Sequence, residues 1–412
     1  MFLLRDSCFS LAFLLLLSLC ATAADPQSAK LSSPPPAGGA WVQEATLTNT
    51  IGCCDNARAV AIGGNTVAVS PVGGSVFVYL KPAGGWRSMT QTAILSPSNP
   101  ATALNFGSSI ALAGNTIVVG CDQATIGSNQ SQGALYVFVE PAGGWTNMTE
   151  TAILTASDGD AFDSLGLSVG ISGNTIVGGA DPAAYVFVKP AGGWVSGTQT
   201  AELTTTNRTQ LDIVAISANT VVVSAVVSGG TQGGVLVYVE PSTGWANMTE
   251  TATLDTGVRY VSTMRAVAIS GDTVAGGAAD VSPNGVSHAG ALFVWVKPAA
   301  GWSKNMPPTA ELTASNGTGN ANLGVGVGIN ASVIVGGAPG TTVGSNLEQG
   351  AVYVFNQPAS GWKNMTESAE LMSAGGTPAN LFGFSVGLSG GTIVGGAPFI
   401  NSGTGAAYIF GQ

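Results

Sequence analysis

The 412-residue chain is 45% hydrophobic and only 8% charged, against about 25% charged in an average globular protein, so Ser, Thr, Asn and Gly must cover its surface. A formal charge of −10, with 12 basic residues scattered thinly, argues against nucleic acid or an acidic membrane as a partner. Basic patches interleaved with aromatics are absent.

Residues 1–23 read as a secretory signal peptide, with Arg5, an apolar run from Leu11 to Leu19 and an Ala21-Thr22-Ala23 cleavage pattern. The run is too short to span a membrane, and no later segment reaches the ~18 uninterrupted apolar residues a spanning helix needs. The mature protein is therefore expected outside the cytoplasm, secreted or periplasmic. Leu19 stands before Cys20 where lipidation expects a small residue, which favours simple removal of the signal. Residues 24–40 are rich in Pro, Ser and Gly and read as a flexible leader.

A repeat starts at Trp41. Trp41, Trp86, Trp145, Trp194, Trp245, Trp302 and Trp362 each open a Thr-rich strand, and successive members lie 45 to 60 residues apart. Within each unit the pattern predicts four strands. The Trp strand, as in Trp145–Thr155, comes first. Next is a hairpin such as LSVGI and TIVGGA joined at Gly173-Asn174, where both central residues accept positive φ. Last is an aromatic strand such as Tyr185-Val186-Phe187, stopped by a Pro-Gly turn. Seven four-stranded units over residues 41–412 predict an all-β fold, a seven-bladed β-propeller of antiparallel blades. In the first hairpin strand Ser168 and Gly170 alternate with Val169 and Ile171, so a small face of one blade can receive the branched face of the next. The chain opens on an isolated Trp strand and ends on an aromatic one, so the N-terminal strand is expected to complete the last blade and close the ring.

Phe106-Gly107 and Phe382-Gly383 open hairpins, and Gly336-Gly337-Ala338-Pro339 and Gly395-Gly396-Ala397-Pro398 close them. These residues resemble FG-GAP repeats, the blades of the integrin α-subunit N-terminal propeller and of many secreted bacterial proteins. Leu165-Gly166 and Leu323-Gly324 are variants, whereas the other three units show Ala57-Arg58, Leu211-Asp212 and Met264-Arg265. The resemblance implies adhesion or ligand binding, and in some blades calcium held by an acidic loop between the first two strands. Here those turns are two residues long, with no room for an oxygen cage.

Several residues are candidates for chemistry. Asp158, Asp160 and Asp163 lie within six residues and could offer oxygen ligands to Ca²⁺, although their spacing misses the EF-type loop. Asp122, Asp181 and Asp280 follow the second hairpin strand, and with Arg58, Asp212 and Arg265 they are expected to form a mixed-charge rim at one channel mouth, suited to a small polar ligand such as a sugar. Export permits a disulfide from Cys53 or Cys54 to Cys121. The repeated Trp and Tyr-x-Phe residues read as blade packing. Asn147, Asn247 and Asn364 begin Asn-Met-Thr sequons that read as a by-product of the repeat. His288 is the only histidine available for a relay. The function expected is an exported non-catalytic binding or adhesion module for an extracellular or envelope protein or glycan. A secreted polysaccharide-acting enzyme and a structural envelope component are the alternatives.

Overall fold

The computed structural model describes residues 40–51, 57–71, 74–206, 213–227, 232–259, 264–399 and 405–412. The expected signal peptide and all but the last residue of the leader lie outside these. Seven small sheets each carry the order inner, second, third, outer strand, and they form the seven blades of a β-propeller. Blade 3 is representative, with strands Ser168–Ser172, Thr175–Gly179, Ala184–Val188 and Ala201–Thr204. Among the described residues a single 3₁₀ turn, Pro283–Gly285, is the one departure from strands and loops.

The hairpin between inner and second strands closes on Ser172 opposite Thr175. Gly173 sits at φ +57° while Asn174 stays out of the left-handed region, so only the first of the two central residues needs glycine's freedom. The ring closes as expected. Val42–Thr48 pairs antiparallel with Ala406–Gly411, with Val42 opposite Gly411 and Leu47 opposite Ala407, and so supplies the outer strand of blade 7.

The Trp strand is not one strand. From Trp86 onward, the segment after each repeat Trp first crosses to the preceding blade and only then forms the outer strand of its own. Met148 bridges parallel to Leu95 of blade 1, whereas Ala152–Thr155 pairs with Ala134–Val139 of blade 2. Met89-Thr90, Gly197-Thr198, Met248-Thr249 and Met365-Thr366 make the same parallel pairing as two-residue strands. Side chains secure this strap. Asn147 Oδ1 accepts the Ile94 N–H at 2.9 Å, Asn247 Oδ1 that of Glu202 at 2.9 Å and Asn364 Oδ1 that of Glu311 at 2.9 Å. Ser88 and Ser196 do this through Oγ. Three residues further on, the Glu150 carboxylate takes the Ser98 N–H at 2.8 Å and that of Glu367 takes the Ser315 N–H at 2.8 Å. Outer-strand and loop donors that would otherwise face solvent at the sheet edge are thereby paired.

The core lies between blades. Ala68, Val76 and Val78 of blade 1 bury against Ile117, Val119 and Phe138 of blade 2, and Val177 and Val186 of blade 3 against Val221, Val223 and Tyr238 of blade 4. Small residues set how closely the layers approach. A Cβ placed on Gly170 would stand 3.2 Å from Ile216 Cγ2, and one on Gly387 3.1 Å from Ile62 Cγ2, so branched residues do seat on the small face of the neighbouring blade.

The Phe-Gly and Gly-Gly-Ala-Pro halves have separate tasks at this junction. In blade 7 a Cβ on Gly395 would lie 2.5 Å from the Phe382 ring, so that glycine makes room for the aromatic of its own blade. The second glycine faces the next blade. A Cβ on Gly337 would stand 1.8 Å from the carbonyl oxygen of Gly383, one on Gly277 2.1 Å from that of Gly324, and one on Gly120 2.0 Å from that of Gly166. Backbone therefore rests on backbone, and no side chain fits between.

Candidate functional site

Inner strands run away from the loop that leads into them, second strands run back, and third and outer strands repeat the pair. The leading loops and the loops between second and third strands consequently share one face. The two-residue hairpins and Pro-Gly-Trp turns share the other. On the first face adjacent blades interlock. Phe162 N–H donates to Gln130 O at 3.0 Å and Leu165 N–H to Gln132 O at 3.0 Å, a pattern repeated by Ala379 to Leu347 and Phe382 to Gln349. Gln132 and Gln349 are buried beneath these loops, and their side-chain amides donate to Ala156 O and Ser373 O. Their Oε1 atoms accept from Asn129 and Asn346.

The inner strands surround a central channel in two connected cavities of about 240 and 260 Å³. Every inner strand carries a Val or Ile followed two residues later by an Ile or Leu, as in Val169 and Ile171 or Val386 and Leu388. The cavity nearer the leading loops holds Arg58 and Arg265, and these are its only ionisable lining residues among those described. Both are exposed.

The predicted rim is only partly assembled. Arg265 Nη2 lies 3.4 Å from Asp280 Oδ2. Asp122 is buried, accepts from Asn105 Nδ2 at 2.8 Å and feels the Arg58 charge. Burial is the largest influence on Asp122 and raises its pKa, against the hydrogen bonds from Asn105 and Ser108 and the attraction of Arg58. Asp181 belongs elsewhere: its N–H donates to Asp163 O at 2.8 Å, and its charge adds to that of Asp160 and Asp158 around Asp163. Asp212 lies outside the described residues. The rim serines are already engaged by the next blade, with Ser109 Oγ donating to Gly166 O at 2.7 Å and Ser385 Oγ to Ala57 O at 2.9 Å.

In the Asp158–Asp163 loop one carboxylate braces the loop and another reaches the outer strand segment of the blade. Asp163 Oδ2 accepts the Asp160 N–H at 2.6 Å, and Asp158 Oδ1 accepts from Gln199 Nε2 at 3.1 Å. Among the described residues no three Asp, Glu, His or Cys side chains converge in a metal-holding group. Desolvation, then the neighbouring acids, raises the Asp163 pKa, against the hydrogen bond from Asp160. Cys121 is a free, buried thiol whose Sγ donates to Leu104 O at 3.1 Å; burial pushes its pKa up to about 12. Cys53 and Cys54, its expected disulfide partners, lie outside the described residues. His288 Nδ1 stands 3.0 Å from Ser287 Oγ, its chain neighbour. Trp86, Trp145, Trp194, Trp245 and Trp362 are buried in the blade junctions, so they pack and do not form a stacking platform.

One feature escaped sequence reasoning. Of the eleven exposed large hydrophobic side chains among the described residues, Ile51, Leu104, Phe162, Leu167, Val258, Leu347, Met372 and Phe399 sit toward the leading-loop face, leaving three toward the other. Phe162 and Leu347 are each 68% exposed, and Phe162 holds φ +75° at its loop tip. Their position between Gly- and Asp-rich turns was visible, but apolar residues in loops carry no periodicity to mark them.

Residues 89–138, 148–187 and 365–410 match the family model of the FG-GAP repeat. No curated protein matches the chain. Among solved structures, the crystal structure of the computationally designed Ika8 protein is similar at a TM-score of 0.50 and 15% identity, over 90% of this chain and 100% of that one. That likeness concerns the fold alone. With its matched stretches spread through a ring of seven like-built blades, and with the motif glycines at the junctions between them, the chain is an FG-GAP repeat β-propeller protein.

Proposed function

We propose that the protein is an exported, non-catalytic binding module whose partner, an extracellular or envelope protein or glycan, meets the leading-loop face. The observation that carries this reading is the eight-to-three bias, among the described residues, of exposed large apolar side chains toward that face. Exposed apolar groups gathered on one side mark interaction surfaces, and loops held on a rigid scaffold commonly bear recognition residues. Arg5, the Leu11–Leu19 run and Ala21-Thr22-Ala23 support export; N-terminal sequencing of the mature protein is expected to begin at Ala24.

The test is binding to a glycan and matrix-protein array, in calcium and in EDTA, by the wild type and two variants. Phe162→Ser/Leu347→Ser is expected to weaken the array hits by about tenfold or more, the scale of lost anchor residues. Val188→Ser/Val195→Ser, altered on the opposite face, is expected to leave them unchanged. Equal loss in both variants, or an array without hits, would overturn the proposal.

A further inference from the structure

We propose that the outer edge of blade 6 takes up an extended segment of a partner protein, added parallel to Ala369–Leu371. This edge lies on the rim of the ring, and the inference does not rest on the apolar loop tips. Six blades are completed in this way by the chain itself. The parallel strap forms a fifth strand on blades 7, 2, 3 and 5, and bridges blades 1 and 4 at Leu95–Met148 and Leu254–Met306. Blade 6 ends, among the described residues, at its own outer strand.

The cause is a shortened segment. By its place in the ring the stretch after Trp41 would strap blade 6, but only residues 42–44 separate Trp41 from Ala45, whereas residues 146–151 separate Trp145 from Ala152. Val42 accordingly stays in its own blade, opposite Gly411. The last contact of a strap survives: Gln43 Oε1 accepts the Ala374 N–H at 2.8 Å, as Gln199 Oε1 accepts that of Ser157. Exposure follows the same division. In the strapped blades the outer strand starts on an alanine at most 2% exposed, namely Ala45, Ala93, Ala152, Ala201, Ala252 and Ala310. Ala369 is only half-buried, and Met372, just past the strand, is 44% exposed. The N–H groups of Glu370 and Met372 hold the positions from which Ile94 donates to Asn147 Oδ1 and Ser96 to Met148 O. Among the described residues neither has an acceptor. An unpaired strand edge is a template for an added strand.

The straps also define the occupant. Five of the six read Asn or Ser, then Met or Gly, then Thr, from Ser88-Met89-Thr90 to Asn364-Met365-Thr366. The first side-chain oxygen takes the outward N–H of the outer strand, and the second residue pairs with its leucine. A segment of that pattern therefore fits the blade 6 edge. The leader does not supply it: residues 24–39 contain no Asn, Met or Thr, and Pro34, Pro35 and Pro36 lack the N–H a strap donates.

Fluorescence anisotropy of a labelled peptide Trp-Thr-Asn-Met-Thr-Glu-Thr, the sequence of residues 145–151, titrated with the full chain tests the proposal. Saturable binding is expected. Asn147→Val in the peptide should weaken it about fivefold or more, the fold-change of one lost hydrogen bond. Met372→Pro in the protein removes an edge donor at a place where proline is tolerated. It should also weaken binding about fivefold or more, with the melting temperature retained. Hydrogen exchange should slow at the Glu370 and Met372 amides when the peptide is added. No saturable binding, binding indifferent to Asn147→Val, or protection confined to other amides would each overturn the proposal. If Met372→Pro unfolds, the exchange measurement on the wild type still decides it.

Discussion

Gly337→Ala gives the sharpest test of how the blades are joined. Gly337 adopts no positive φ, so alanine is conformationally allowed and the cost is one of space. The new Cβ would stand 1.8 Å from Gly383 O, 2.8 Å from its carbonyl carbon and 3.2 Å from its Cα, all backbone atoms that cannot rotate away. Restoring an ordinary contact of 3.4 Å requires blades 6 and 7 to part locally by 3.4 − 1.8 = 1.6 Å. A gap of that size forfeits dispersion contacts along the junction in addition to the strain of overpacking, for a total of roughly 3 kcal/mol. That is a large fraction of the roughly 5–15 kcal/mol by which domains are stable. Urea unfolding followed by circular dichroism measures it. Gly391→Ala is the control: nothing lies within 4 Å of its Cβ position and its φ is not positive, so alanine there should be neutral or stabilise by up to about 1 kcal/mol. If Gly337→Ala costs no more than Gly391→Ala, blade spacing is not set by the glycine contact.

Four other outcomes follow from particular contacts. Deleting residues 41–48 strips the outer strand from Ala406–Gly411 and should lower the melting temperature of the whole ring; an unchanged temperature would disprove closure by this strand. Asn147→Ser, which installs the residue blades 1 and 3 use, should be nearly neutral, whereas Asn147→Val leaves the Ile94 N–H without its acceptor and should cost about 1 kcal/mol by denaturant titration. Burial is the leading cause that raises the folded-state pKa of Asp122, Asp163, Glu202 and Glu370, so the native state binds protons more readily than the unfolded chain. Stability should therefore rise as pH falls from 7 toward the ordinary carboxylate range, and thermal melts that fall over this window would contradict it. In a Cys53→Ser/Cys54→Ser background, Cys121 should resist a thiol reagent until denaturant is added, since its thiol is buried and its pKa pushed up to about 12.

The parts of the fold written in local sequence were legible. Gly173-Asn174 between alternating residues fixed a hairpin, Tyr185-Val186-Phe187 before a Pro-Gly turn fixed a third strand, and an unpaired Trp strand at the start pointed to ring closure. What could not be read was long-range pairing. Asn147-Met148 looks like the interior of one strand, because its partner Ile94-Leu95 lies about fifty residues earlier and nothing in the spacing names it. The site was less legible for a related reason. Ser109 and Ser385 read as the small face of an inner strand, and the carbonyls that take their protons come from the next blade, which no local pattern names. Asp181 likewise falls in register with Asp122 and Asp280, yet its N–H donates to Asp163 O and its charge acts on Asp163.

The pairing of Val42 with Gly411 also fixes how the ring can be tethered. Both residues lie at the end of blade 7 that carries the hairpins and Pro-Gly-Trp turns, so the polypeptide joins and leaves the ring at one point on that side. A label, resin linkage or fusion partner joined directly at Trp41 or Gln412 will meet the ring on that side, opposite the loop-bearing face and the arginine-flanked mouth.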